Sequence, residues 1–202
     1  YYEWVVETKE TIPHVEGMTI VEELAPFIER KLFTVNTGHA VIAYLGYLAN
    51  KSTIDETLAD PEVLQQVKAT LNETGAYLIK QYNLNPDEHE KYINKIIQRF
   101  KNPYLNDGVT RVGRSPIRKL GPEDRLVRPA VQAKKAGLGF DYLAKAMAAA
   151  LHFDCQDDPD AVTIQAMIQE HGVFHVLKEI SNLDEKNEIA RTVVHHYESM
   201  KK

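Results

Sequence analysis

Cysteine is nearly absent from this sequence: Cys155 is the only one among 202 residues, so no internal disulfide can form. This scarcity fits a reducing compartment, and we expect a cytoplasmic protein. No apolar stretch approaches the roughly 18 residues that a membrane-spanning helix needs, so no membrane segment is predicted. The first residues also lack the basic start and apolar run of a secretory signal.

An excess of positive charge is missing as well. The 24 Lys and Arg stand against 29 Asp and Glu, for a net charge of −5. This balance argues against nucleic acid or an anionic membrane as a partner. However, half of the basic residues lie between 91 and 135, where the only acidic residues are Asp107, Glu123 and Asp124. Such a segment indicates either a site for a small anion or a solvated basic face.

The pattern of apolar residues is helical over most of the chain. After a short strand at about 2–8, the spacing predicts a helix from Val21 to Ala49, with a break or entry turn near Pro26. Further helices are predicted at about 61–82, 86–100, 123–135, 139–152, 158–170, 173–181 and 185–200. The fold class is therefore mostly α.

Two features mark the limits of these helices. Asp60, Asn85 and Asp158 each precede a proline, the pattern of a capping side chain followed by proline at the first helical position. Residues 101–122 contain three prolines and three glycines, and we predict one long irregular connection there. Long loops within a compact domain are usually functional or disordered.

The first candidate site is the segment KLFTVNTGH, which contains Lys31, Asn36 and His39. On a continuous α-helix Asn36 lies about 140° and His39 about 80° around from Lys31, so all three can face one cleft. Burial among apolar neighbours would lower the pKa of a lysine towards that of a general acid/base. Asn36 and His39 could donate hydrogen bonds to a developing alkoxide. The alternative is a polar stripe on a half-buried helix.

The second candidate is the basic loop, Arg111, Arg114, Arg118 and Lys119. Arginine binds phosphate oxygens through two parallel hydrogen bonds, so this loop could hold a phosphate. It could instead dock on an acidic surface of another domain. His171 and His175 have a spacing known from metal sites, but Gly172 interrupts it and no third ligand follows, so no metal is predicted.

KLFTVNTGH, RFKNP at 99–103 and RVGRSPIRKL at 111–120 together resemble the C-terminal half of the polyol-specific long-chain dehydrogenases. The RVGRSPIRKL form is similar to the sugar-phosphate branch of that family. The resemblance implies a multi-helical domain like the C-terminal domain of 6-phosphogluconate dehydrogenase. It also implies NAD as cofactor, no metal, and a polyol or sugar phosphate as substrate.

The resemblance further implies a role for each candidate residue. Lys31 would be the catalytic acid/base, while Asn36 and His39 would polarise the reacting oxygen and orient the substrate. Arg111 and Lys119 match family positions that contact substrate. We add Arg114 and Arg118 as phosphate ligands.

The same resemblance implies an N-terminal Rossmann domain, which we expect to be this domain's partner. Residues 1–20 would then be a remnant or linker of that domain, and 21–202 the helical substrate-binding and catalytic domain. We expect no cofactor-binding residues here and no activity without the Rossmann domain. Open alternatives are a free-polyol or hexuronate oxidoreductase, a helical module that binds an anionic metabolite without catalysis, or a domain that only docks a partner.

Overall fold

The fold begins with two short strands and continues as a bundle of helices. The computed structural model describes residues 3–13 and 15–200; Tyr2 of the predicted strand and residues 201–202 of the predicted domain lie outside this range. Strands β1 (Trp4–Glu7) and β2 (Met18–Val21) pair in parallel, from Trp4 opposite Met18 to Glu7 opposite Val21. Strand β2 crosses the boundary that we predicted after residue 20.

Twelve α-helices follow in the described part of the chain. Helix α1 (Ala25–Arg30) continues through a π-helical segment (Lys31–Asn36) into α2. The others are α2 (Thr37–Leu48), α3 (Ile54–Leu58), α4 (Pro61–Tyr82), α5 (Pro86–Phe100), α6 (Val109–Gly113), α7 (Pro116–Lys119), α8 (Val127–Lys135), α9 (Asp141–Leu151), α10 (Pro159–His171), α11 (Val173–Ser181) and α12 (Glu188–Met200). The predicted mostly α fold is confirmed.

Helix α2 lies at the centre of the core. Every residue from Ala40 to Gly46 is buried, and α3, α4, α6 and α9 all pack against α2. A helix that is apolar on all sides has to be enclosed in this way. Helix α9 is also buried along most of its length, and its small alanines allow close approach to α2 and α12.

The predicted capping residues begin their helices as expected. Asp60 accepts hydrogen bonds from the backbone N–H groups of the first turn of α4, Asn85 from that of Glu88 in α5, and Asp158 from those at the start of α10. Each satisfies donors that would otherwise lack a partner inside the helix. These three helices therefore start where the sequence predicts. Other helices start later than predicted: α1 at Ala25 and not at Val21, α8 at Val127 and not at 123, and α12 at Glu188 and not at 185.

The prediction of an irregular connection over 101–122 is wrong. A 3₁₀ turn (Pro103–Leu105) and helices α6 and α7 occupy most of it, and Ser115 links the two helices with a left-handed backbone, φ 58°. Val109, Val112 and Leu120 are buried in the core. These apolar side chains order the segment, although each helix is too short for its periodicity to be read from sequence. The sequence does not predict helix α3 for the same reason.

The described residues contain neither a membrane-spanning helix nor a metal-binding cluster. Among residues 3–13 and 15–200 no helix is both long and apolar enough to cross a membrane. Within those same ranges, no group of three or more His, Cys, Asp or Glu side chains is arranged to hold a metal ion.

Close packing around Gly46 of α2 gives a first prediction. A Cβ atom added there would overlap the hydroxyl of Thr57 in α3 and lie 3.1 Å from Val109 Cγ2 in α6. Gly46→Ala should lower the free energy of unfolding by about 1–3 kcal/mol, the usual cost of overpacking a core. Urea denaturation measures this change. The matched control is Gly139→Ala, where the added Cβ has only a contact of 3.8 Å to Glu73; equal losses in both variants would contradict the prediction.

Burial of His89 in α5 predicts a dependence of stability on pH. His89 is 4% exposed, burial lowers its pKa, and nearby Arg30 lowers it further. Since the folded pKa lies below the unfolded value of about 6.5, the unfolded state takes up the proton first as the pH falls. The stability contributed by neutral His89 is therefore present above that pH and lost below it.

The measurement is the free energy of unfolding between about pH 7.5 and pH 5.5, a range that spans the usual histidine pKa. His89→Phe should lose less stability on acidification than the wild type, because it has no proton to take up. His195→Gln removes an exposed histidine and should keep the wild-type dependence. A wild-type dependence in His89→Phe as well would refute the explanation.

Candidate functional site

The π-helical segment determines how the first group of candidate residues is arranged. Lys31 is its first residue and Asn36 its last. Since π-helical hydrogen bonds join residue i to residue i+5, residues five apart lie nearly one above the other. His39 follows three residues later in the first turn of α2, the spacing of neighbours on an α-helix. The three residues therefore share one face, and the 140° separation of Lys31 and Asn36 expected for a continuous α-helix is wrong.

Buried contacts hold both ends of the π-helical segment. Before it, Glu29 is buried and its carboxylate accepts hydrogen bonds of 2.6 Å from Tyr82 in α4 and from Arg128 in α8. After it, the hydroxyl of Thr37 lies 2.6 Å from the carbonyl oxygen of Arg125. Within it, Phe33 is fully buried. These contacts fix the face that carries Lys31.

The side chains on this face differ in their exposure to solvent. Lys31 is exposed, whereas Asn36 and His39 are half-buried. The expectation that its apolar neighbours bury Lys31 is wrong for the described residues, since Phe33 turns into the core and Lys31 turns away from it. Any desolvation of Lys31 would have to come from a surface that covers this face.

His39 lies among aromatic and charged groups. Its ring stacks on Phe100 with centroids 4.8 Å apart, and its Nε2 lies 3.1 Å from Asp107 Oδ2. Burial lowers the pKa of His39, and the nearby carboxylate of Asp107 opposes that shift. Arg111 and Lys119 lower the pKa further, which places two residues of the basic loop close to His39.

Buried groups from other elements anchor the basic loop. The hydroxyl of Tyr44 in α2 donates to the carbonyl oxygen of Gly113 at 2.9 Å. The backbone N–H of Ser115 donates to Asp158 Oδ2 at 2.7 Å, so the residue that caps α10 also holds the turn between α6 and α7. The loop is therefore an ordered part of the domain.

Lys119 differs from the other three basic residues of the loop. It is 3% exposed, and its Nζ donates to the carbonyl oxygen of Val112 at 2.8 Å and to that of Arg114. Burial, followed by the charges of Arg125 and Arg118, lowers its pKa to about 8. Arg111, Arg114 and Arg118 are exposed, so their guanidinium groups can reach an anion in solution.

The fold thus brings some of the predicted residues together. His39 and Arg111 both contact Asp107, and Lys119 lies within electrostatic range of His39. Sequence reasoning missed Asp107 as part of the site. Its position four residues before Arg111 could have indicated an ion pair, but no sequence signal places it beside His39.

The model of the mannitol dehydrogenase C-terminal domain family matches residues 23–201. The chain belongs to this family of polyol dehydrogenase domains. The resemblance drawn from the motifs is thereby confirmed.

Individual relatives agree with this assignment. The chain is 50% identical over 201 residues to mannitol-1-phosphate 5-dehydrogenase of Bacillus licheniformis, covering 97% of this chain and 52% of the relative. It is 49% identical over 186 residues to the enzyme of the same name from Bacillus subtilis, covering 91% of this chain and 49% of the relative. The chain spans about half the length of the curated relatives that it matches.

Two solved structures share the fold. A D-sorbitol dehydrogenase in substrate-free form superposes with a TM-score of 0.77 at 18% identity, over 98% of this chain and 44% of that one. Mannitol 2-dehydrogenase of Pseudomonas fluorescens, in ternary complex with NAD and D-mannitol, superposes with a TM-score of 0.76 at 20% identity, over 99% and 44%. At these identities the similarity shows the fold alone.

Proposed function

We propose that this chain is the substrate-binding and catalytic domain of an NAD-dependent mannitol-1-phosphate 5-dehydrogenase, which interconverts mannitol 1-phosphate and fructose 6-phosphate. The observation that carries the proposal is 50% identity to an enzyme of that name over nearly the whole chain. The shared face of Lys31, Asn36 and His39 supports it, because it offers an amine beside two hydrogen-bonding side chains.

The proposal divides the enzyme between two domains. Relatives about twice as long as this chain leave room for an N-terminal domain, and we propose that this domain has a Rossmann fold and binds NAD. Residues 1–20 would connect it to the domain that starts at residue 21. In the described chain Gly137 and Gly139 lie between helices α8 and α9 and not after a strand, so they do not form a dinucleotide-binding turn.

The reacting hydroxyl would lie over the face of the π-helical segment. Neutral Lys31 would take the proton of a secondary hydroxyl while Asn36 and His39 hold the oxygen on which negative charge develops. In the reverse direction protonated Lys31 returns the proton to that oxygen. The NAD held by the other domain supplies the hydride acceptor. That domain would also cover Lys31, which this chain alone leaves exposed.

The basic loop would hold the substrate. Exposed Arg114 and Arg118 present guanidinium groups suited to paired hydrogen bonds with phosphate oxygens, and Arg111 adds a third cation near His39. For Lys119 we propose a substrate contact through the third N–H of its ammonium group, since two backbone carbonyls accept the other two. We further propose that neither catalysis nor folding uses a metal, and that the enzyme acts in the cytoplasm.

The acid/base role of Lys31 predicts the effect of its removal from the two-domain enzyme. Lys31→Ala should lower kcat for fructose 6-phosphate reduction by about a hundredfold to ten-thousandfold, the usual contribution of a general acid/base. The KM should stay near that of the wild type, because the phosphate is bound elsewhere. Steady-state kinetics with NADH measures both constants. The control is Lys68→Ala, which removes an exposed lysine of α4; near-normal turnover of Lys31→Ala would overturn the assignment.

The proposed phosphate site predicts a change in substrate preference. Arg114→Ala and Arg118→Ala should each reduce the preference for fructose 6-phosphate over fructose by about tenfold or more, as expected on loss of a hydrogen bond to a charged group. The ratio of kcat/KM for the two substrates measures it. Arg191→Ala removes an exposed arginine of α12 and should leave the ratio unchanged. An unchanged ratio in both loop variants would contradict phosphate binding by Arg114 and Arg118.

A panel of other substrates separates the proposal from its nearest alternatives. Greater activity on free mannitol or on a hexuronate, with NAD as acceptor, would place the enzyme in another branch of the family.

A further inference from the structure

Asp107 contacts two residues of the candidate site at once. Its Oδ2 lies 3.1 Å from His39 Nε2, and its Oδ1 accepts a hydrogen bond from the guanidinium group of Arg111. One carboxylate therefore joins the central helix α2, through His39, to the basic loop, through Arg111. The side chains of Asp107 and His39 are 19% and 28% exposed, so solvent screens their contact less than it screens a surface ion pair.

The backbone around Asp107 is fixed by a second segment of the chain. The carbonyl oxygen of Asp107 accepts a hydrogen bond of 2.9 Å from the N–H of Ile54, and the N–H of Val109 donates to the carbonyl oxygen of Ser52 at 2.9 Å. Between these bonds Thr53 and Gly108 form an antiparallel bridge. The carboxylate is thus presented to His39 from a rigid position that does not depend on its own side-chain contacts.

The contact between Asp107 and His39 is chiefly electrostatic. Among the described residues Nε2 of His39 is buried and has no well-aligned hydrogen-bond partner, while the stacked ring of Phe100 sets the plane of the imidazole. Three charged groups act on His39 in the described part of the chain. Asp107 favours the protonated ring, and Arg111 and Lys119 disfavour it. Asp107 therefore opposes the charges of Arg111 and Lys119 at His39, while burial still keeps the pKa of His39 below its usual value.

We propose that Asp107 is a positioning residue, which holds His39 and Arg111 in place for the substrate. The inference rests on the proposed function and adds to it a residue that does not touch the reacting atoms. Without Asp107, the positive charges of Arg111 and Lys119 would act on His39 unopposed, and Arg111 would lose the contact that directs its side chain.

The first test measures the protonation of His39 directly and needs no activity. The variant is Asp107→Asn in the two-domain protein, which keeps the size of the side chain but removes its charge. An NMR titration of protein labelled at the histidine Cε1 position follows His39, whose signal is assigned by its loss in His39→Gln. The pKa of His39 should be lower in Asp107→Asn than in the wild type and should recover in Asp107→Glu. The same pKa in all three proteins would overturn the proposal.

The second test uses the kinetics of fructose 6-phosphate reduction. Asp107→Asn should lower kcat/KM by about tenfold to a hundredfold, by analogy with removal of the carboxylate partner of a metal-binding histidine. Asp107→Glu should restore part of this loss. A matched control is Asp141→Asn, because Asp141 Oδ1 lies 2.9 Å from His196 Nε2 in a similar pair on α9 and α12. This variant should keep the kcat/KM of the wild type.

The two tests separate failure of the inference from failure of the proposed function. A wild-type enzyme that does not reduce fructose 6-phosphate would refute the proposed function, while the titration would still decide whether Asp107 raises the pKa of His39. An active enzyme whose kcat/KM is unchanged in Asp107→Asn would refute the positioning role. Equal activity losses in Asp107→Asn and Asp141→Asn would also refute it, because they would indicate a general loss of stability.

Discussion

Burial of helix α2 on all sides is the constraint on which the rest of the structure depends. Four helices enclose it, so its own surface has almost no room for polar side chains. The candidate residues therefore lie in the first turn of α2 or just before it, where the chain enters the core. The π-helical turn between Lys31 and Asn36 shifts the helical phase there, so that Phe33 enters the core while both polar residues share the open face. A regular α-helix would not give Lys31 and Asn36 the same direction.

The same constraint explains why the basic loop is ordered. Tyr44, in the buried part of α2, donates a hydrogen bond to the carbonyl oxygen of Gly113. Asp158 both caps α10 and accepts a hydrogen bond from the backbone N–H of Ser115. Lys119 is buried beneath the loop, and its ammonium group donates hydrogen bonds to two backbone carbonyl oxygens of the loop. The loop can then direct exposed guanidinium groups outward from a fixed backbone.

Under the proposed function, this arrangement would be one wall of an active site. The face that carries Lys31 is open to solvent, and Arg111 and Lys119 lie close to His39. Such a wall would bind and orient a phosphorylated substrate and would leave the hydride acceptor to another surface. This fits a chain that spans about half the length of its curated relatives.

The sequence alone determined the long helices, because their signals are local. Asp60, Asn85 and Asp158 with their prolines specify where helices begin, and the apolar spacing between them specifies which faces pack. It also indicated the family, since KLFTVNTGH and RVGRSPIRKL keep chemically specific residues at definite spacings. Only the tertiary structure decided the short helices α3, α6 and α7. Contact with α2 orders α3 and α6, and contact with α10 orders α7. The tertiary structure alone decided the π-helical turn, and it alone placed Asp107 beside His39, because that contact joins residues 68 positions apart through the bridge between Thr53 and Gly108.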